Sequence, residues 1–516
     1  MICMSKVLSI AEALDLIKDE DSIAIPTAGG CGWPKYLVDG LETRFLETGS
    51  PKNLMVFAGC GQNSDRFAHK GMIRKFIASH PKTAQEMLKL AMSNEIEAYA
   101  LPQGILQQLY RCTGAKQPGL LSKIGMGTYV DPRQIGGKIC QACKEDIVKL
   151  MNIEGEDWLY YKAQPVTVAL LRGTTSDEYG NITLEQEALR LEDLEVAIAA
   201  KACNGVTIVQ VKRIASNGTL NPRDIVIPAE LVTAVVVCEE QETYHKQTAN
   251  TFYNPYFSGE VRAPSSAAPA SPAVLGAVDV VCRRAFFEMY PGAIMNVGVG
   301  IGQGVGAVAQ VEGLSEKATF TVELGVFGGT PQNTGDFPAS HNPRAIISHV
   351  HMFDFYHSGG LDITFLGLAE MDSQGNVNAS MFDGVTSGQG GFIDISSCSK
   401  KVVFCTYFKA KGLKTRVADG KLYIDKEGEI PKLVHNVQQI TFNGNLAIER
   451  GQKIVVCTER CVFELTKDGL MLTEVAPGIS VEKDIISQME FKPLISDSLK
   501  EMDPRIFIPG RMGVLE

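Results

Sequence analysis

Apolar positions along the chain follow two periods. Short β-branched runs such as residues 232–237 show no alternation with polar positions, which predicts strands buried on both faces. Between such runs lie segments of helical period. One covers residues 277–290, with Arg283 and Arg284 expected on its polar side. Strand, Gly-rich loop, helix and strand recur in that order. The recurrence predicts an α/β fold in which an open, mostly parallel sheet is flanked by helices. Ligands of such sheets bind at the carboxyl ends of the strands.

The pattern is used twice. Asp177, Gly180 and Asn181 recur as Asp372, Gly375 and Asn376, 195 positions on, and the same offset lays the strand-like run 206–211 onto 401–406. A second pair begins each copy. Ile23-Ala24-Ile25 runs into a Gly-rich loop at 28–32, and Ile294-Met295-Asn296-Val297 runs into another at 298–302, about 271 positions later. The difference places about 76 extra residues inside the first copy. Residues 258–273 are so rich in Pro, Ser and Ala that they cannot bury a core, and they read as an exposed linker. The expected organisation is two similar lobes, 1–257 and 274–516, with the active site in the cleft between them.

Composition narrows the functions. The 516 residues are 45% hydrophobic and 21% charged, which fits a well-cored globular chain rather than a disordered one. The 59 acidic and 49 basic residues leave a net charge of −10, which argues against a nucleic-acid partner but leaves room for a basic pocket around one anion. No window approaches the roughly 18 consecutive apolar residues of a membrane span. The start, Met1-Ile2-Cys3-Met4-Ser5-Lys6-Val7-Leu8, lacks a basic region followed by an apolar one. The expectation is a cytoplasmic protein without membrane contact. Thirteen scattered cysteines read as reduced, mostly buried thiols.

Chemistry concentrates in the second copy. A strand expected at 293–297 leads into Gly298, Gly300, Gly302, Gly304 and Gly306, then a helix over Val308 and Val311, then a strand at 318–322 ending in Glu323. Gly302 to Ala307 satisfies G-x-G-x-x-A, and Glu323 stands 21 positions after Gly302, where a ribose-binding acid would sit. This supports an NAD-dependent dehydrogenase only weakly. No His or Lys constellation for proton transfer surrounds the motif, and the first copy does not repeat it. The plainer reading of Glu323 is a strand-end carboxylate paired with a base.

The neighbourhood decides between them. Thr321-Val322-Glu323-Leu324-Gly325-Val326-Phe327-Gly328-Gly329 resembles the active-site segment of the family I coenzyme A transferases. The resemblance continues through Phe353-Asp354-Phe355-Tyr356, Gly359-Gly360-Leu361-Asp362, Gly375-Asn376-Val377-Asn378 and Gly388-Gln389-Gly390-Gly391-Phe392-Ile393-Asp394. Upstream it includes Leu101-Pro102-Gln103-Gly104 and Gly125-Met126-Gly127-Thr128-Tyr129. It covers essentially the whole chain and is strongest to the single-chain members acting on short acyl-CoA, the acetate and propionate CoA-transferases. The resemblance implies fused α and β subunits, a homotetramer or homodimer, and Glu323 as the nucleophile that becomes a glutamyl-CoA thioester. Acyl-CoA and small carboxylic acids are then the partners. Coenzyme A is substrate and covalent intermediate, with no permanent cofactor and no metal.

That chemistry needs hydrogen-bond donors for two tetrahedral oxyanions. The candidates are the backbone N–H groups of Gly388, Gly390 and Gly391 and the side-chain amides of Asn378 and Gln103. Their ordinary readings are a tight turn for the glycines and a turn cap for Asn378. Lys400 and Lys401 are a candidate pair for the nucleotide end of coenzyme A, against the reading of solvated surface charge. Cys140-Gln141-Ala142-Cys143 lacks a second pair at zinc-site spacing and reads as incidental thiols. His349-Val350-His351, with His357, could suggest a metal, since positions i and i+2 share a strand face, but no third ligand follows at regular spacing and the favoured role is packing and hydrogen bonding. Leu324, Gly302-Gln303-Gly304, His357-Ser358 and the stretch 338–341 depart from common family wording, which leaves the acyl preference open. The rival activities are an acyl-CoA hydrolase on the same fold and, more distantly, the dehydrogenase. A non-enzymatic rival is a CoA-binding scaffold.

Overall fold

The protein is described by a computed structural model covering residues 6–264, 271–332 and 334–514. Residues 265–270 of the expected linker lie outside the described residues. The first half builds one sheet from seven strands: β1 (Ser22–Ile25), β2 (Leu54–Ala58), β3 (Ile73–Ala78), β4 (Glu97–Ala100), β5 (Val168–Arg172), β6 (Val206–Val211) and β7 (Ala234–Val237). Their spatial order is β7-β6-β5-β1-β2-β3-β4, and every pairing is parallel. Strands β1, β2 and β5 are buried at every position, as apolar runs without alternation require.

The second half contributes β8 (Ile294–Val297), β9 (Thr319–Val322), β10 (Val326–Phe327), β11 (Ala345–Ile346), β12 (Ile363–Leu366), β13 (Lys401–Cys405), β14 (Lys453–Cys457), β15 (Cys461–Thr466), β16 (Gly469–Val475) and β17 (Leu494–Glu501). They form one sheet in the order β11-β10-β9-β8-β12-β13-β14-β15-β16-β17. The middle, β9 to β14, is parallel. Antiparallel pairings extend both ends, and β17 closes one edge parallel to β16. Alternate residues of its strands feed two cores. Val403, Cys405, Val455 and Cys457 enter one, and Val402, Phe404, Ile454 and Val456 the other.

The duplication is visible in the strand order. The run β14-β13-β12-β8-β9 repeats β7-β6-β5-β1-β2. The repeated Asp-Gly-Asn turn also closes in the same way twice. Asp177 Oδ1 accepts the N–H groups of Gly180 and Asn181 at 2.9 Å, and Asn181 Nδ2 returns a bond to Asp177 Oδ2 at 2.8 Å. In the second copy Asp372 Oδ1 accepts Asn376 N at 2.9 Å and Asn376 Nδ2 donates to Asp372 Oδ2 at 2.9 Å. Each asparagine carbonyl then accepts a distant backbone N–H, from Ala229 and Gly444 respectively.

One expectation fails. The helix expected over 277–290 is Ala277–Phe286, and its arginines are not on a polar face. Arg283 and Arg284 are both buried. Arg283 donates to the backbone carbonyls of Arg505, Ile506, Ile508 and Gly510, and Arg284 forks onto Glu474 at 2.7 and 3.0 Å. A guanidinium can enter a core when all its donors find acceptors.

Four helices matter for the site: α1 (Gln103–Gly114), α2 (Asp193–Ala202), α3 (His349–His357) and α4 (Phe392–Cys398). Helix α1 of the first half packs against α3 and α4 of the second. Polar groups lock this contact. Arg111 pairs with Asp354 at 2.6 Å, and Gln108 reaches Asp354 at 2.9 Å and His357 at 3.1 Å. Asp394 accepts the N–H of Gly104 at 3.2 Å and meets His357 at 2.9 Å.

Candidate active site

Strand β9 ends at Val322, and the chain reverses into β10 through Glu323, Leu324 and Gly325. Gly325 has φ +106°, and a Cβ there would lie 2.1 Å from the Ile347 carbonyl oxygen, so the turn needs glycine. Its own carbonyl accepts the N–H of Ile347 at 2.9 Å, which fastens the turn to the start of α3. Val322 and Leu324, on either side of Glu323, pack with Ala28, Cys31 and Leu191 of the first half. Glu323 therefore sits where the halves meet.

The Glu323 side chain is half-buried. Asn296, in the middle of β8, donates from Nδ2 to Glu323 Oε2 at 3.3 Å and lies 3.3 Å from the Tyr356 hydroxyl, which bonds Thr321 Oγ1 at 2.7 Å. Burial pushes the Glu323 carboxyl above its ordinary range. Its backbone N–H and the Asn296 amide pull it partway back.

The opposite wall comes mainly from the first half. Gln103 opens α1 directly after Pro102, and its Nε2 lies 3.3 Å from Cys60 Sγ and 3.0 Å from His349 Nε2. His349 opens α3, capped by Ser348, and its Nδ1 lies 2.9 Å from Glu192 Oε2 at the start of α2. His349 and Glu192 are fully buried. Burial pushes the Cys60 thiol up, and the charges of Glu192 and Glu323 push it further. Cys60 is thus a neutral neighbour of the carboxylate, not a competing nucleophile.

The structure brings Gln103 to Glu323's surroundings, and with it the glycine loop, in which Gly390 has a different capacity from the one expected. The Gly390 N–H is committed to the Ser79 carbonyl at 3.1 Å, so it is not a free donor, while its carbonyl accepts Gln103 N at 3.3 Å. A Cβ on Gly390 would lie 3.3 Å from Gln103 Oε1. Gly388, at φ +73°, approaches Ser79 so closely that a Cβ would lie 2.5 Å from its carbonyl oxygen. Gly391 precedes α4 and rests on Phe353. Between them Gln389 Oε1 accepts the Tyr129 hydroxyl, and its buried Nε2 has no partner among the described residues.

Asn378 is placed otherwise. Its Oδ1 accepts the N–H groups of Ser380 and Met381, and its Nδ2 donates to Glu370 and to the Met381 carbonyl, each at 2.9 to 3.1 Å. The amide is spent on its own turn, as a capping asparagine's is. Lys400 and Lys401 pair with Asp362 and Glu288 at 2.8 and 2.9 Å. The histidines at 349, 351 and 357 stand on a helix, not a strand, and each bonds a different partner: Glu192, Ser348 and Asp394. Cys140 and Cys143 are free thiols with sulfurs 3.4 Å apart. The strand–helix–strand unit of the Rossmann reading is present, but its terminal acid turns to Asn296. Sequence reasoning missed Asn296, Cys60, Tyr356 and Glu192. Two of them left a signal: Asn296, a polar residue inside an apolar strand that precedes the Gly-rich loop, and Tyr356, the end of a family-like segment to which sequence reasoning assigns no role.

A sheet duplicated within one chain, with a desolvated carboxylate where the copies meet, defines a class of acyl-transfer protein, and known proteins identify it. Residues 7–238 match the family described as coenzyme A transferase. The caffeate CoA-transferase of Acetobacterium woodii is 42% identical over 516 residues, covering 98% of both chains. The acetate CoA-transferase YdiF of Escherichia coli K12 is 41% identical, covering 98% of this chain and 96% of its own. The crystal structure of the acyl-CoA transferase YdiF apoenzyme from E. coli O157:H7 superposes with a TM-score of 0.93 at 39% identity, over 100% of this chain and 98% of that one. A thioester complex of that enzyme with CoA superposes with a TM-score of 0.91. The chain belongs to the coenzyme A transferase family and is a CoA-transferase. Among the described residues no helix is long and apolar enough to cross a membrane.

Proposed function

We propose that the protein moves coenzyme A from a short-chain acyl-CoA to a second short-chain carboxylate, with Glu323 as the covalent carrier. The observation that carries this reading is the Glu323 carboxylate, desolvated where the two halves meet and held by the Asn296 amide. A carboxylate in water is a weak nucleophile because hydration stabilises its charge. At this position fixed dipoles replace that hydration.

In the first half-reaction a Glu323 oxygen adds to the acyl-CoA carbonyl and the C–S bond breaks. The products are an acyl-glutamyl anhydride and CoA thiolate. The thiolate then adds to the glutamyl carbonyl, the anhydride C–O bond breaks, and the first acid leaves as carboxylate. In the second half-reaction the incoming carboxylate displaces thiolate from the glutamyl thioester. The thiolate next attacks the acyl carbonyl of the new anhydride, which releases the new acyl-CoA and restores Glu323. Both attacking groups are already anions, so no general base is needed. The Nε2 groups of Gln103 and Gln389 and the N–H groups of Gly388 and Gly391 are the donors we assign to the oxyanions. Two lobes, 1–257 and 274–516, joined through 258–273 and assembled as a homo-oligomer, complete the reading.

The test is mass spectrometry of the peptide containing Glu323 after incubation with acyl-CoA and hydroxylamine. A hydroxamate at Glu323 is expected. An unmodified peptide alongside normal turnover overturns the assignment. A panel of acids that includes acetate and caffeate, the acids named in the relatives, ranks the acceptors. Release of free CoA without acceptor conversion would favour the hydrolase.

A further inference from the structure

Gln103 can serve as an oxyanion donor only if its amide nitrogen, not its oxygen, faces the reacting carbonyl, and an isolated glutamine has no such preference. Here the preference has a source. The Glu192 carboxylate is fully buried and can only accept, so His349 Nδ1, 2.9 Å away, carries the proton. His349 Nε2 is then a lone pair, and the group facing it at 3.0 Å must donate, which turns Gln103 Nε2 toward it. Gln107, with its amide nitrogen inward, donates to both Glu192 oxygens at 2.9 and 3.2 Å and holds the carboxylate in place. The second Nε2 hydrogen of Gln103 meets Cys60 Sγ at 3.3 Å. Sulfur is a weak acceptor, so this is the hydrogen that an oxyanion can take over.

We propose that Glu192 and His349 are positioning residues. Through the histidine tautomer they fix the Gln103 amide as a donor at the carbonyl attacked by Glu323. The inference rests on the glutamyl-thioester reading above and adds to it a relay from the first half, through a histidine of the second half, back to a glutamine of the first. An amide at position 192 can donate to His349 Nδ1. The proton then moves to Nε2, and Gln103 must turn its oxygen toward the histidine. That removes a donor from the oxyanion without touching substrate.

The experiment is a double-mutant cycle on CoA exchange with Glu192→Gln and Gln103→Ala. Each single variant is expected to lower kcat by about 10²-fold, the typical loss of one oxyanion donor, with KM for acyl-CoA within about threefold of the parent. The double variant is expected to be no slower than Gln103→Ala alone, because the relay has nothing left to orient. Glu192→Asp, which restores the acceptor, is expected to recover most of the rate. Losses that multiply, or a Glu192→Gln enzyme at parental kcat, overturn the proposal. If Glu192→Gln does not fold, His349→Gln enters the same cycle in its place. A Glu323 hydroxamate in the parent together with multiplying losses removes this inference alone. An absent hydroxamate during normal turnover removes the underlying reading.

Discussion

At Glu323, the nucleophile proposed above, the desolvation that would make the carboxylate reactive also favours its neutral, unreactive form. Asn296 works against that tendency, since its Nδ2 bond lowers the carboxyl from where burial alone would leave it. Asn296→Leu removes the donor, so the acid limb of the kcat profile is expected to move to higher pH and kcat at pH 7 to fall by about 10- to 100-fold, within the range for a lost charge-assisted bond. A pH–rate profile superposable on the parent's would show that Asn296 does not act on the nucleophile. The raised value also has a cost in stability. The folded chain holds this proton more tightly than the unfolded chain does, so the contribution is complete below the ordinary 4.5 and is lost as pH rises through the folded value. At neutral pH the ionised side chain therefore destabilises the fold. Glu323→Gln is expected to raise Tm at pH 7 while abolishing exchange, and the gain should vanish in melts at pH 4. A lower Tm at pH 7 would mean that the carboxylate is stabilised by contacts stronger than its desolvation.

Helix α1 delivers Gln103, and its position is set one residue later. A Cβ on Gly104 would lie 2.6 Å from Asp394 Oδ1 and 2.7 Å from the ring of Phe353, a fully buried side chain on α3. The carboxylate can swing, but the ring cannot. Gly104→Ala is expected to push α1 off α3, with a loss of about 1–3 kcal/mol of stability from overpacking and a fall in kcat larger than any change in KM. Calorimetry and steady-state kinetics on one preparation check both, and an alanine variant with parental kcat would show that the register of α1 does not set the Gln103 amide. At this scale the limits of sequence reading are physical. Local repeats carried the fold well: the Asp177 and Asp372 turns are legible because a short Asp–Asn loop closes on itself with the same bonds wherever it occurs. The same locality assigns Asn378 to its own turn once its four bonds are seen. Groups whose partners lie far along the chain were not legible. Arg283 and Arg284 have the period of a solvated face, and only the approach of Glu474 and the 505–510 carbonyls makes them interior. Glu192 and Cys60 belong to the site only because α1 packs between α2 and α3 and sets Gln103 against Cys60 and His349, a placement that no spacing in the sequence encodes.

Across the whole molecule, the site exists only while the two halves stay in register, and one buried network in the first half bears on that. His245 is fully buried between Gln210 Nε2 at 3.1 Å and Glu187 Oε1 at 3.3 Å, and Arg172 bonds Glu187 from the other side. Three residues on, Thr248 Oγ1 bonds Asp336 Oδ1 of the second half at 2.5 Å. Asp336 precedes Phe337 and Pro338, which press against Gly29 of the first Gly-rich loop. Burial, with a smaller push from Arg172 against the pull of Glu187, holds the His245 imidazole down at about 4 from an ordinary 6.5. Burial alone would raise Glu187, but Arg172 and His245 outweigh it and hold that carboxyl at about 2. Both groups bind protons less readily folded than unfolded. Stability from His245 is therefore whole above pH 6.5 and is lost as pH falls toward 4, and Glu187 adds a further loss from 4.5 toward 2. His80, held at about 4 by burial and Lys82, adds to the first window. Each proton taken up differentially contributes a slope of about 1.4 kcal/mol per pH unit. Glu323, Asp193 and Glu195, raised by burial, take up protons with the opposite sign, so the expected result is a difference: between pH 6.5 and 4 the Tm of His245→Gln loses less than the parent's, because one of the two histidine protons is gone. Exchange activity should fall with Tm in this window if the 245–248 segment holds the halves together. If His245→Gln shows the parental slope, the network is not what couples protonation to the fold. If it flattens the slope in Tm but not the loss of exchange, acid acts on the rate through Glu323 alone.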